Sequence, residues 1–194
     1  MKIFIFFLTC IFAIGLFHGC FEIETDNYIY SDFDTGIDGW TITGDGTNPP
    51  TYIASGGVNN SGYISSTDLG LSGTWYFSAP EKYQNNMSRF LKGRMHFYLY
   101  FESPVTDPWD AVDIVITGGS ATMVHNFSHD PTQDQWTEYE IGMSELFWKS
   151  PNGNNLTLDE VTDILADVQS IEIRGEYIYG ADIGGLDEFY FYEL

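Results

Sequence analysis

Basic residues are scarce in this 194-residue chain: seven Lys and Arg stand against 28 Asp and Glu, for a formal net charge of −21. A surface that acidic repels phosphate backbones and anionic bilayers, which excludes nucleic acid and lipid headgroups as partners. It attracts divalent cations, or simply keeps the protein in solution. Cysteine is nearly absent too: Cys10 and Cys20 both fall in the first twenty residues, so the fold beyond them is not built on disulfides. Reaction signatures are missing as well. There is no G-x-S-x-G, no H-E-x-x-H and no Walker loop. GADIGG (180–185) is not a dinucleotide pattern and has no βαβ unit around it. A glycosidase needs only two carboxylates, but no pair among the 28 acids stands out. The chain reads as a non-enzyme, with a divergent polysaccharide hydrolase as the minor alternative.

One long apolar run is present, Ile3–Phe17 after Lys2. It is shorter than the roughly twenty residues that cross a bilayer and has the layout of an export signal, residues 1–20. Gly19-Cys20 resembles a bacterial lipobox, which would put lipid on Cys20 as the mature first residue. Phe17 and His18 depart from that pattern. The acidic stretch 21–26 then reads as a short tether, and 27–194 as one domain long enough to bury a core. The expectation is an exported protein, a cell-envelope or surface lipoprotein or otherwise secreted. It would meet membrane only through lipid on Cys20. Four N-x-S/T sequons, at Asn59, Asn86, Asn126 and Asn155, are read as chance in a chain rich in these residues.

Beyond the signal, short aromatic and β-branched segments alternate with Gly, Asn, Asp and Pro clusters. Candidate strands are 26–31, 39–43, 50–54, 61–66, 73–78, 92–101, 110–117, 121–126, 135–141, 170–179 and 187–193. RMHFYLYF has the clearest alternation: Met95, Phe97, Leu99 and Phe101 face a core, and Arg94, His96, Tyr98 and Tyr100 face outward. One helix interrupts. Thr157 and Glu160 form a capping box, followed by an apolar stripe of Val161, Ile164, Leu165 and Val168. Many short strands with one late helix predict a two-sheet antiparallel β-sandwich.

Several residues are candidates for chemistry. LDEFYF aligns Asp187 with the core residues Phe189 and Phe191 on one strand face. A carboxylate there needs a partner. Calcium, with turn carbonyls and a second Asp, is one, and Arg174 is the other. Arg174 itself lies between Glu172 and Glu176, which reads as a structural ion-pair ladder. Trp109, in a loop with two prolines, is the most exposed-looking tryptophan and joins Tyr98 and Tyr100 as a candidate ligand platform. His125 and His129, four apart in a turn, are a weak zinc signal against ordinary surface histidines. The glycines of GADIGG are assigned to turning the backbone.

FDTGIDGW (33–40), TWYFSAPEKYQNNMS (74–88) and above all VTDILADVQSIEIRGEYIYGADIGGLDEFYF (161–191) resemble, in family order, the laminin IV type A or laminin B domain. The resemblance implies a jelly-roll β-sandwich akin to carbohydrate-binding modules and no catalytic residues. It also implies a structural calcium between first and last strands, at Asp34 and Asp187 with Asp32 nearby. The expected function is a non-catalytic extracellular or cell-surface module that binds glycan or matrix-like partners. The alternative is a structural or adhesive protein-interaction domain with no sugar site.

Overall fold

The computed structural model describes residues 27–68, 70 and 73–194. The expected export signal, its Cys20 and the tether 21–26 lie outside the described residues. Among those described there are eleven strands: β1 Tyr28–Ser31, β2 Thr41–Thr43, β3 Thr51–Ile53, β4 Tyr63–Thr67, β5 Tyr76–Ser78, β6 Arg94–Glu102, β7 Ile114–Gly118, β8 Thr122–His125, β9 Thr137–Gly142, β10 Val168–Arg174 and β11 Ile183–Tyr192. Each corresponds to a candidate strand, with ends that shift by a few residues. Helix α1 spans Leu158–Ala166.

All pairings are antiparallel. One sheet runs β3-β4-β11-β6-β9, with β1 also on β11, and the other runs β2-β5-β10-β7-β8. Strand β11 is central to the first sheet. Along one edge it pairs with β4 through 183–186 and then with β1 through 189–192, while β6 follows the other edge.

The aromatic residues that the sequence aims inward fill the space between the sheets. Trp40, Trp75, Phe77, Phe97, Phe189 and Phe191 are all fully buried, each worth about 1.5–3 kcal/mol in removed apolar surface. Trp40 meets Phe189 edge-on at 4.9 Å, and its ring N–H donates to Ser31 Oγ at 2.9 Å. The buried indole is thus satisfied at its polar end. Helix α1 has the expected capping box and buries Val161, Ile164 and Leu165 against β7 and β8. Val168 is not the last residue of its stripe but the first of β10.

The segment 171–189 departs most from expectation. Strand β11 begins at Ile183, so Gly184 and Gly185 lie inside a strand, and it is Gly180 that turns the chain, at φ 105°. A Cβ on Gly184 would stand 2.6 Å from both the Trp75 ring and the Gly175 carbonyl, and one on Gly175 would collide with the same ring. These glycines make room for Trp75. Strand β11 then bulges: Asp187 pairs with Tyr98 but Tyr190 pairs with His96, and Glu188 has φ 47°. The extra residue inverts the side-chain alternation. Asp187 therefore faces outward with Tyr98, not inward with Phe189 and Phe191.

Candidate functional site

The alternation of β6 aims Arg94, His96, Tyr98, Tyr100 and Glu102 away from the core. Across β11 their partners are Tyr192, Tyr190, Asp187, Gly185 and Ile183. Gly185 leaves a gap in that layer, and three rings close around it. Trp136, just before β9, is 5.1 Å from Tyr63 at 81° and 5.5 Å from Tyr100. Its N–H donates to the Gly56 carbonyl at 2.9 Å, which fixes the indole. A Cβ on Gly185 would lie 3.1 Å from Trp136 and 3.4 Å from Tyr100 and Tyr63. The glycine is the floor of the trio.

Beside the trio is a groove of about 350 Å³ lined by Thr51, Ile53, Tyr63, Ser65, Tyr100 and Glu102. A second hollow of about 460 Å³ shares Thr67, Glu102 and Ile183 with it and adds Ser103, Gln133 and Asp134. Tyr100 donates to Glu102 at 2.9 Å. Burial, then that hydrogen bond, pushes the Tyr100 phenol up to about 12, so it stays a neutral donor. Further along the face a second row runs Tyr28–Tyr30–Tyr190–His96–Tyr98, with successive ring centres 5.4, 6.0, 5.8 and 5.2 Å apart. Carboxylates border it: Glu138 at His96, 2.9 Å, and Glu140 at the Tyr192 hydroxyl, 2.6 Å.

Tyr98 and Tyr100 are thus brought together as expected, but Trp109 is not with them. Its loop crosses to the β10–β11 connection, where the indole N–H donates to Thr74 Oγ1 at 2.7 Å and the ring meets Tyr179. The tryptophan on the face is Trp136, which the sequence reading passed over.

Asp187 is not paired with Arg174, whose carboxylate partner is Asp113. Asp187 is fully buried beneath the loop Val58–Ser61, whose Val58 N–H and Ser61 hydroxyl each donate to its Oδ2 at 2.8 Å. Its Oδ1 accepts from the Glu188 N–H at 2.7 Å. These donors fill both lone-pair directions of Oδ2 and one of Oδ1. Asp32, Asp34 and Asp187 do not converge: among the described residues no three acidic, His or Cys side chains gather as a metal cage. Asp32 instead accepts from the Asp34 N–H at 3.1 Å, and Asp34 is exposed.

Arg174 is 1% exposed and pairs with Asp113 at 3.0 Å. Its remaining donors go to the carbonyls of Glu176 (2.6 Å), Ala111 (2.8 Å) and Trp109, and the guanidinium lies 4.1 Å over the Tyr177 ring. The expected ladder with Glu172 and Glu176 is absent, because β10 ends at Arg174 and Gly175 takes the chain off the strand. Glu172 accepts from Thr43 across the sheet at 2.7 Å. His125 and His129 are likewise separate, bonded to the Phe147 carbonyl and to Ser128.

Residues 76–191 match the family model described as laminin B (domain IV). The chain belongs to the laminin B family. This laminin B domain is 29% identical over 110 residues, 54% of the chain, to the basement membrane-specific heparan sulfate proteoglycan core protein of Mus musculus, and spans 3% of that protein's length. Its fold is that of the L4b domain of human laminin α2, with a TM-score of 0.68 at 18% identity, covering 86% of this chain and 98% of that one. It is also that of the family 11 carbohydrate-binding module of Clostridium thermocellum, solved in complex with a β-1,3-1,4-mixed-linked tetrasaccharide. That match has a TM-score of 0.53 at 15% identity and covers 85% and 95% of the two chains. Among the described residues no helix is long and apolar enough to cross a membrane.

Proposed function

We propose that this laminin B domain is a non-catalytic, exported binding module that takes a neutral glycan across the outer face of its β11–β6 sheet. The carrying observation is the Tyr63–Trp136–Tyr100 trio over Gly185, set beside a groove that also presents Ser65, Thr67 and Glu102. The negative face of an aromatic ring attracts the polarised C–H face of a pyranose, and the nearby hydroxyls and carboxylate give its hydroxyls hydrogen-bond partners. The sheet's charges set the class of sugar. Glu102, Asp134, Glu138 and Glu140 border the face, with Arg94 at its far end, so sulfated or uronate chains are repelled while uncharged chains are not. The solved module with a mixed-linked tetrasaccharide has the same fold, which supports the reading.

Calorimetry with a mixed-linked β-glucan, a xylan and heparin tests it. Binding of a neutral chain that weakens in Trp136→Ala supports the reading, and binding of heparin alone overturns it.

A protein-contact reading rests on a separate observation. Tyr28 and Tyr30 are 44% and 41% exposed beside Tyr190, and exposed aromatics suit adhesive contacts. If Tyr30→Ala abolishes matrix attachment while glucan binding is nil, that reading replaces the first. Lipid on Cys20 as the membrane tether belongs to the same proposal. Incorporated labelled palmitate that is lost in Cys20→Ser tests it.

A further inference from the structure

Four carboxylates share the end of the sandwich where β4 stops and the β10–β11 connection folds back: Asp45, Asp68, Glu176 and Asp182. Gly46 bridges to Asp68, and the Asp68 N–H donates to the Asp182 carbonyl at 3.1 Å, which ties these segments together. Two of the four have protein partners. Asp182 accepts from the Tyr177 N–H at 3.0 Å and from the Trp75 indole at 3.4 Å, and Asp68 accepts from the Gly70 N–H at 2.8 Å.

The other two have unmet oxygens. Among the described residues, both carboxylate oxygens of Asp45 and Oε2 of Glu176 are buried with no hydrogen-bond partner, and Glu176 is only 4% exposed. A buried carboxylate oxygen left unpaired is among the costliest arrangements a fold can hold. Arg174, the cation nearest in sequence, is already committed to Asp113. The backbone also closes on Asp45: a Cβ on Gly70 would overlap its Oδ2, and one on Gly73 would stand 3.3 Å from it.

We propose that Asp45 and Glu176 are the carboxylate ligands of a structural divalent-cation site for a hard ion such as calcium. Only oxygen donors are present, which selects calcium or magnesium over softer metals. No three carboxylates converge on one point among the described residues, so these two supply the charged ligands. Carbonyl oxygens and water complete the six to eight positions that calcium takes. Asp68 and Asp182 add negative potential without giving up their hydrogen bonds. The site is independent of the glycan face and distinct from Asp32, Asp34 and Asp187.

Terbium emission sensitised through tryptophan tests it on the purified protein, since Trp75 adjoins Asp182. Saturable emission that calcium displaces is expected. Asp45→Asn and Glu176→Gln should each weaken binding at least about 10-fold, the loss that even an outer-shell substitution brings in metal sites. Asp34→Asn should leave it unchanged. Melting in calcium against melting in EDTA guards against a folding defect. The wild type should melt higher in calcium, and the two variants should melt alike in both and no lower than wild type in EDTA. Identical wild-type melting in calcium and EDTA, or emission that survives both variants, overturns the proposal.

Discussion

Trp136 and Tyr63 meet edge-on, ring centres 5.1 Å apart, above a strand glycine that neither touches in sequence. The pair is built by three elements, β4, β11 and the entry to β9. If it is the sugar platform, Trp136→Ala removes a central aromatic anchor and should cost about 2 kcal/mol of binding, roughly 30-fold in affinity. Calorimetric titration with the neutral glucan measures the loss. Gly185→Val should give a similar loss, because its side chain would push all three rings outward. Unchanged affinity in both variants would sink the platform.

Arg174 ties the end of β10 to the 109–113 stretch, through Asp113 and the carbonyls of Trp109, Ala111 and Glu176. Arg174→Met leaves Asp113 as an unpaired buried charge and should lower stability by about 3–5 kcal/mol. Arg174→Lys should not rescue it, since an ammonium lacks the planar fork that reaches four acceptors. Urea unfolding of the three proteins reads the difference.

Asp187 separates two accounts of its burial. With Val58, Ser61 and Glu188 as its donors, Asp187→Asn faces an N–H₂ against a donor and should cost about 1–3 kcal/mol. The cost should be the same in calcium and in EDTA. A loss confined to calcium would restore the cation between first and last strands.

The pH dependence follows from the acidic end of the sandwich. Burial first, against the Tyr177 and Trp75 hydrogen bonds, leaves Asp182 at about 6, and Glu176 is at about 7. Both lie above their unfolded values, so between about pH 4 and 7 the folded state binds more protons than the unfolded. Stability then falls as pH rises through that window. In EDTA the melting temperature should be higher at pH 5 than at pH 8, with the fall reduced in Glu176→Gln. Asp45 and Asp68 add to the repulsion at the upper end. A melting temperature that rises with pH across this range contradicts the assignment.

The fold was legible because its signals are local. Alternation in RMHFYLYF, the Thr157–Glu160 cap and the glycine and aspartate punctuation each act within a few residues. The site was less so, because it depends on register between distant strands. Nothing near Trp136 says that it will cover Gly185, although a Gly-Gly pair inside an aromatic strand is a signal of close approach. Asp187 was misplaced for a related reason. Period-two reading assumes an unbroken strand, and the bulge at Glu188 breaks it. Arg174 and Glu176 look like ladder neighbours only if β10 runs two residues further than it does.

The bulge also makes β11 a strand with two reading frames. Before Glu188 the even-numbered residues are interior, and after it the odd-numbered ones are. A substitution scan through 183–192 should therefore show sensitivity that alternates, skips once and resumes out of phase. Deleting Glu188 would merge the frames. That single-residue loss would leave Asp187 facing out and Phe189 and Phe191 facing in on one unbroken alternation, so the residue without a ladder partner shifts the count along the strand without deciding which face each side chain takes.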